Sequence, residues 1–135
     1  MTVPAEQGAQ ALRHEPDIVL ARQQARRLAQ ALNFSLVDQT KMVTAASELA
    51  RNTVVYGGGG EMQWTVLEEG IKRGLRLCFI DQGPGIADID LALTDGWTSG
   101  HGLGMGLSGT RRLVHEFDLH STVGSGTRVT ITRWK

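Results

Sequence analysis

Three features are scarce in this sequence: cysteine, net charge and long apolar runs. Cys78 is the single cysteine and lies within the apolar stretch 75–80, so an intrachain disulfide is excluded and a buried, unreactive thiol is expected. Fourteen basic residues balance fourteen acidic ones, which leaves no net field to attract nucleic acid or an anionic membrane. The apolar runs are short, and residues 1–16 lack the basic and apolar regions of a secretion signal. We therefore expect a soluble cytoplasmic protein without nucleic-acid or membrane partners.

Glycine, by contrast, is abundant and unevenly placed. The 17 glycines concentrate at 57–60, 83–85, 96–109 and 124–126. Clustered glycines indicate backbone that takes positive φ or that something approaches closely, as nucleotide-binding loops require. The chain length of 135 residues and the hydrophobic content of 41% predict one domain over 1–135.

The hydrophobic pattern predicts helices and hairpins in alternation. Residues 1–10 are weakly patterned, so they are left as either a disordered tail or the approach to an edge strand at 10–14. The further predicted elements are a helix at 17–33, a helix capped by Ser35 and Asp38 and stopped at 57–60, antiparallel strands near 62–66 and 75–79, a short helix near 88–93, a helix from Gly106 with buried positions to Phe117, and two strands around 124–126. This order predicts an α+β fold, a two-layer sandwich with helices on one face of the sheet.

Two polar residues of the second helix are candidates for chemistry. Glu48 and Asn52 are four residues apart, so they project from nearly the same face and can meet one ligand. An asparagine carbonyl suits Mg²⁺, which usually takes few protein ligands, and Glu48 could orient water or accept a proton. Taken alone, the pair is more typical of the solvated face of an amphipathic helix.

Two further segments resemble parts of a nucleotide site. Asp81 ends a predicted buried strand, where an adenine amino group would satisfy its carboxylate, and the following Gly83, Gly85 and Ile86 form a turn that would let a base lie close. By itself this is also an ordinary turn. The string Gly102, Leu103, Gly104, Met105, Gly106 opens a predicted helix and could bind phosphate through its backbone N–H groups. No G-x-x-x-x-G-K-[ST] motif or βαβ dinucleotide unit is present.

Together, four motifs stand in a specific order. They are E-L-A-R-N (48–52) on a helix, D-Q-G-P-G-I (81–86) after a strand, G-H-G-L-G-M-G-L (100–107) before a helix, and G-S-G-T (124–127) between two strands. From residue 17 to residue 134 this series resembles the GHKL ATPase superfamily. With D-G-W-T-S-G at 95–100 it is most similar to the RsbT-type serine/threonine kinases of stress-signalling, partner-switching pathways. The resemblance implies a Bergerat-type sandwich with a mixed, mostly antiparallel sheet.

The resemblance also implies cofactors and site residues. ATP and Mg²⁺ are the implied cofactors: Asn52 would bind the metal, Asp81 would hold adenine, Thr127 would lie near the base, and the later glycines would wrap the phosphates. Glu48 and Asn52 are the candidate catalytic residues, with Glu48 as the base or orienting group for the acceptor hydroxyl. Arg51 and His101 are candidate phosphate contacts, and His101 is alternatively a residue of the short lid 94–101 without a role. The implied cofactor-binding set is Asn52, Asp81, Gly83, Gly85, Ile86, Gly102, Leu103, Gly104, Met105, Gly106, Leu107 and Thr127.

The implied partners are proteins. RsbT-type kinases phosphorylate STAS-domain antagonists and, when released, bind a downstream effector, often a phosphatase. Tyr56 stands where several anti-sigma relatives carry histidine, which favours the RsbT branch. Two alternatives stay open: an anti-sigma factor with kinase activity that sequesters a sigma subunit, and a non-catalytic binding module that uses ATP only to set its shape.

Overall fold

The computed structural model describes residues 3–94 and 106–135, and these residues form five strands and four helices. The elements in chain order are β1 (Val3–Leu12), α1 (Glu15–Ala31), α2 (Leu36–Val55), β2 (Gly60–Glu69), β3 (Lys72–Asp81), α3 (Ile89–Ala92), α4 (Gly106–Arg112), β4 (Glu116–Thr122) and β5 (Gly126–Trp134). Within the described ranges, no helix combines the length and the apolar character needed to cross a bilayer.

The five strands form one sheet in the order β1-β2-β3-β5-β4. The predicted α+β class is confirmed, with one correction. Where a mixed sheet was expected, every pair of neighbouring strands in the described ranges is antiparallel. The insertion of β5 between β3 and β4 brings the end of β3 beside the start of β5, with Asp81 opposite Thr127.

The core lies between one face of the sheet and the helices α1 and α2. Along β3, Leu75, Leu77 and Phe79 are buried in the same cluster as the inner faces of both helices, while Arg76 and Cys78 on the opposite face are partly exposed. This alternation follows from the two-residue period of a strand. Small residues dominate the helix contact, which allows a close approach of the two helices; the buried alanines are Ala21, Ala25, Ala29, Ala45, Ala46 and Ala50.

The start of α2 is anchored twice. The hydroxyl of Ser35 accepts the N–H of Asp38 at 3.1 Å, which is one half of the predicted capping box. The Asp38 carboxylate accepts from the Arg133 guanidinium at 2.6 Å, and Arg133 also donates to the Leu113 carbonyl at 2.9 Å. The hydrogen bond from Arg133 lowers the pKa of Asp38. Arg133 therefore ties together α2, β5 and the chain that leaves α4.

Two predicted boundaries are wrong. Residues 3–12 form an edge strand paired with β2, so the possible tail over 1–10 is excluded for residues 3–10. The helix from Gly106 ends at Arg112, and Phe117 lies on β4. His115 already donates its N–H to the Thr132 carbonyl of β5, and burial then alternates along β4. The apolar spacing from Leu113 to Phe117 fits a helix, but pairing with β5 determines the strand.

Candidate functional site

A cleft of about 570 Å³ opens beside α2 at the end of β3. Its volume lies within the range of about 300–1,000 Å³ that is usual for small-molecule sites. Asn52, Asp81 and Thr127 contribute polar groups to it from three different elements. The remaining wall is mainly apolar, and its large side chains are Leu49, Phe79, Ile86, Leu91, Leu107 and Val129. A ligand with a flat apolar body and a few polar edges matches this surface.

The helix α2 carries Glu48 and Asn52 to different positions. Asn52 is half-buried and lines the cleft. Glu48, one turn earlier, lines a shallower groove of about 290 Å³ between α1 and α2. It reaches the cleft wall through the N–H of Gly106, which donates to its carboxylate. The two side chains thus flank the wall rather than share one cavity.

The pKa of the Glu48 carboxyl group is shifted by its burial. Desolvation raises the pKa of its carboxyl, and the positive charge of Arg51 and the hydrogen bond from Gly106 oppose this only in part. A carboxylate with a raised pKa holds a proton more strongly than an ordinary one, which suits a group that accepts a proton during a reaction.

Asp81 stands at the end of β3 with much of its carboxylate available. Oδ1 accepts the N–H of Gly83 at 2.9 Å, and this is the only hydrogen bond to the carboxylate in the described ranges. The carboxylate lines the cleft, so its remaining lone pairs can accept from a ligand.

Glycines surround Asp81 because three chain segments meet there. A Cβ at Gly57 would lie 2.5 Å from Cγ of Asp81, and a Cβ at Gly83 would lie 2.7 Å from the Gly57 carbonyl oxygen. At Gly85 an added Cβ would overlap the Thr122 carbonyl. The sequence suggested that Gly83 and Gly85 make room for a base. The structure shows that they make room for neighbouring backbone and, through Gly57, for Asp81 itself.

Two hydroxyl groups, those of Ser121 and Thr127, lie close together at the end of the cleft where Asp81 stands, and Ser121 was not predicted from the sequence. Ser121 Oγ lies 2.8 Å from Thr127 Oγ1 and accepts the N–H of Ile86 at 2.7 Å. Thr127 was a predicted site residue, and it lines the cleft directly opposite Asp81. Ser121 shares the inward face of β4 with Phe117 and Leu119, and that alternation is the signal that could have placed it.

Several predicted site residues lie outside the described residues. They are Gly102, Leu103, Gly104 and Met105, together with His101 and the rest of the predicted lid 94–101 after Thr94. Gly106 and Leu107 open α4 and line the cleft.

Some cleft residues were not predicted as site residues. Leu49 and Phe79 were placed only within a predicted helix and strand, and Gly57 only at a helix end. Tyr56 was used only to choose between branches of the family, yet all four residues line the cleft. Helical or strand periodicity identifies buried positions, but it does not show which of them face a cavity.

Comparisons with known proteins agree with this geometry. Residues 37–135 match the family model described as histidine kinase-, DNA gyrase B-, and HSP90-like ATPase. The serine/threonine-protein kinase RsbT of Bacillus subtilis (strain 168) is 45% identical over 120 residues, covering 89% of this chain and 90% of RsbT.

A crystal structure of the RsbU and RsbW domains of a Mycobacterium tuberculosis protein is similar in fold. The TM-score is 0.68 at 20% identity, and the match covers 98% of this chain and 34% of that one. At this identity the similarity concerns the fold alone.

Proposed function

This chain belongs to the histidine kinase-, DNA gyrase B- and HSP90-like ATPase family and is an RsbT-like serine/threonine-protein kinase, and we propose that it transfers a phosphoryl group from Mg-ATP to a STAS-domain antagonist. When released from the antagonist, it would bind a downstream effector such as a phosphatase. The observation that carries the proposal is the single cleft that collects Asn52, Asp81 and Thr127 between apolar walls.

The cleft fits the adenine of ATP. The base would lie between the apolar walls, with its amino group donating to the Asp81 carboxylate, which has one recorded partner in the described ranges. Such a hydrogen bond to a charged acceptor is worth about 1.5–3 kcal/mol. The turn after Asp81 would border the adenine through Gly83, Gly85 and Ile86. The N–H of Ile86 donates to the Ser121 hydroxyl.

Asn52 fits a magnesium ion that is shared with phosphates. The described residues contain no cluster of three or more His, Cys, Asp or Glu side chains, so the amide oxygen of Asn52 would be the protein ligand. Mg²⁺ usually takes one or two protein oxygens together with water and substrate phosphates, and when bound it would neutralise charge on the phosphates. We propose that Gly106 and Leu107 begin the phosphate site and that Gly102, Leu103, Gly104 and Met105 complete it.

Glu48 is the proposed base. Two observations support this role: the hydrogen bond from Gly106 holds the Glu48 carboxylate beside the cleft wall, and burial raises its pKa. There it would orient the hydroxyl of the acceptor serine or threonine and take its proton as the oxygen attacks the γ-phosphorus. The bond from this phosphorus to the bridging oxygen breaks, and ADP leaves. Phosphoryl transfer depends mainly on alignment and charge neutralisation, so no nucleophile on this chain is needed.

We further propose that the acceptor segment approaches from the groove between α1 and α2. Glu48 lines this groove together with Arg22 and Arg26, and neither arginine has an ion pair within the described ranges. Acidic side chains that flank the acceptor hydroxyl would match these charges. Arg27 on the same helix pairs with Glu6 instead, so Arg27→Ala is the matched control for Arg22→Ala and Arg26→Ala. The two test variants should raise the KM for the protein substrate without changing ATP affinity.

Labelled ATP and a STAS-domain protein test the proposal directly. Wild type should label the partner, Asn52→Ala should not, and Gln23→Ala, which removes an exposed amide from α1, should behave as wild type. Equal labelling by wild type and Asn52→Ala would show that the metal assignment is wrong. Binding of ATP without any labelling would support a non-catalytic module. Capture of a sigma subunit in place of a STAS-domain protein would instead support the anti-sigma function.

A further inference from the structure

Ser121 lies on β4 and does not line the cleft. Its hydroxyl nevertheless contacts three groups at the end of the cleft proposed to hold adenine. The N–H of Ile86 donates to Ser121 Oγ at 2.7 Å. The Gly126 carbonyl oxygen lies 3.2 Å from Oγ, and the Thr127 hydroxyl lies 2.8 Å away. One side chain therefore joins the loop after β3, the strand β4 and the start of β5.

The chemistry of these partners favours one direction for each hydrogen bond. A serine hydroxyl has one proton and two lone pairs. Ile86 N–H can only donate and the Gly126 carbonyl can only accept, so Ser121 gives its proton to Gly126. With that proton assigned to Gly126, the Thr127 hydroxyl donates to Ser121; the 2.8 Å between the two hydroxyl oxygens fits this direction as well as the opposite one. The opposite direction would leave the oxygens of Ser121 and Gly126 3.2 Å apart with no proton between them.

This direction leaves Thr127 as an acceptor toward the cleft. Its proton points to Ser121, so only lone pairs face the ligand. The neighbouring Asp81 is the register partner of Thr127 and also presents carboxylate oxygens to the cleft. Two acceptors side by side favour a ligand edge that carries N–H donors and disfavour an edge that carries a carbonyl.

We infer that Ser121 is a positioning residue that holds the Thr127 hydroxyl as an acceptor and thereby selects a purine with an amino group at position 6. The inference rests on the proposed binding of ATP in this cleft. Ser121 does not touch the base; it acts through the proton of Thr127 and through the N–H of Ile86.

A comparison of two nucleotides measures how much the 6-amino group contributes to binding. ATP and purine riboside triphosphate share ribose and phosphates and differ only in the 6-amino group. Titration calorimetry on wild type should show tighter binding of ATP. In Ser121→Ala the affinity for ATP should fall about fivefold, the equivalent of one hydrogen bond, while the affinity for the analogue stays unchanged. Thr127→Val should do the same, and the double variant should lose little more.

Two variants control for folding. Ser125→Ala removes a hydroxyl from the same hairpin, where the backbone N–H of Ser125 bonds to Thr122, and it should bind both nucleotides as wild type does. Ser121→Thr keeps the hydroxyl and should retain the preference for ATP.

Three results would overturn the inference. If Ser121→Ala weakens both nucleotides equally, Ser121 only supports the fold. If Ser121→Ala binds ATP as tightly as wild type, the relay is absent. If wild type does not distinguish ATP from the analogue, Thr127 does not recognise the amino group. A wild-type chain that binds neither nucleotide would instead reject the proposed ATP site itself.

Discussion

Gly57→Ala is predicted to weaken ATP binding by displacing Asp81 at the end of the cleft proposed to hold adenine. A Cβ at this position would lie 2.5 Å from Cγ and 2.6 Å from Oδ2 of Asp81, about 1 Å inside ordinary contact. Gly57 is not among the residues with positive φ, so alanine suits its backbone. The added Cβ would also lie 2.6 Å from Cβ of Asp81, which rotation of the side chain does not move. The backbone at Gly57 or Asp81 must therefore shift, and the Asp81 carboxylate is then displaced from the N–H of Gly83.

Gly57→Ala should lose both stability and ATP affinity. The backbone shift and the loss of the hydrogen bond from Gly83 remove about 1–3 kcal/mol of folding free energy, which lowers Tm by about 4 to 12 °C in a chain of this size. A displaced Asp81 would also leave the adenine amino group without its proposed acceptor, at about 1.5–3 kcal/mol. ATP should then bind about 10- to 100-fold more weakly.

The neighbouring glycine supplies the control. Gly58 has φ +74°, and its added Cβ would meet no heavy atom within 4 Å. Gly58→Ala should lose about 1–2 kcal/mol of stability through backbone strain and keep its ATP affinity. Titration calorimetry measures the affinities and scanning calorimetry the melting temperatures. Equal ATP affinity in the two variants would refute the reasoning, because Asp81 would then not be the group that holds the base.

Three further predictions follow from charged groups. Glu48→Gln should lower kcat about 10²- to 10⁴-fold and abolish the acidic limb of the pH–rate profile, which burial of Glu48 shifts to higher pH in wild type. Because the pKa of Glu48 is raised on folding, its ionised form costs stability at neutral pH. Glu48→Gln should therefore melt at a higher temperature at pH 7, and the difference should vanish as the pH falls below about 4.3. Asp38→Asn leaves Arg133 buried without its counter-charge and should cost about 3 kcal/mol in urea denaturation, whereas Glu6→Gln, which breaks the exposed pair with Arg27, should cost less than about 1 kcal/mol. The contribution of Asp38 is present above about pH 3.9 and is lost as the pH falls through its lowered folded pKa, so stability curves of Asp38→Asn and wild type should converge in acid.

Local patterns were sufficient to place much of the fold and part of the site. Helical spacing positioned Asn52 on α2, and strand alternation positioned Asp81 at the end of β3, because both depend on residues close in sequence. The same kind of pattern failed at Phe117. There the spacing fits a helix, but pairing with β5 is a distant contact that local periodicity does not contain.

The parts of the site that escaped prediction depend on contacts between distant segments. Ser121 and Ile86 are joined by a hydrogen bond across 35 positions, and no local pattern relates them. Gly57 was predicted only to end a helix and Gly83 only to make room for a base. Their close approach to each other was not predicted, because a sequence does not show which two loops touch. The ordered series of motifs identified the family where the individual motifs did not.

The placement of β5 between β3 and β4 also has a consequence for synthesis on the ribosome. The edge of β3 that faces β5 emerges early and stays unpaired until β5 has been made. The nascent chain therefore exposes a strand edge with which other chains can pair. Thr127 joins Asp81 only when β5 inserts. ATP can therefore stabilise only molecules that have completed the sheet, and nucleotide occupancy in the cell would distinguish finished kinase from newly made chain.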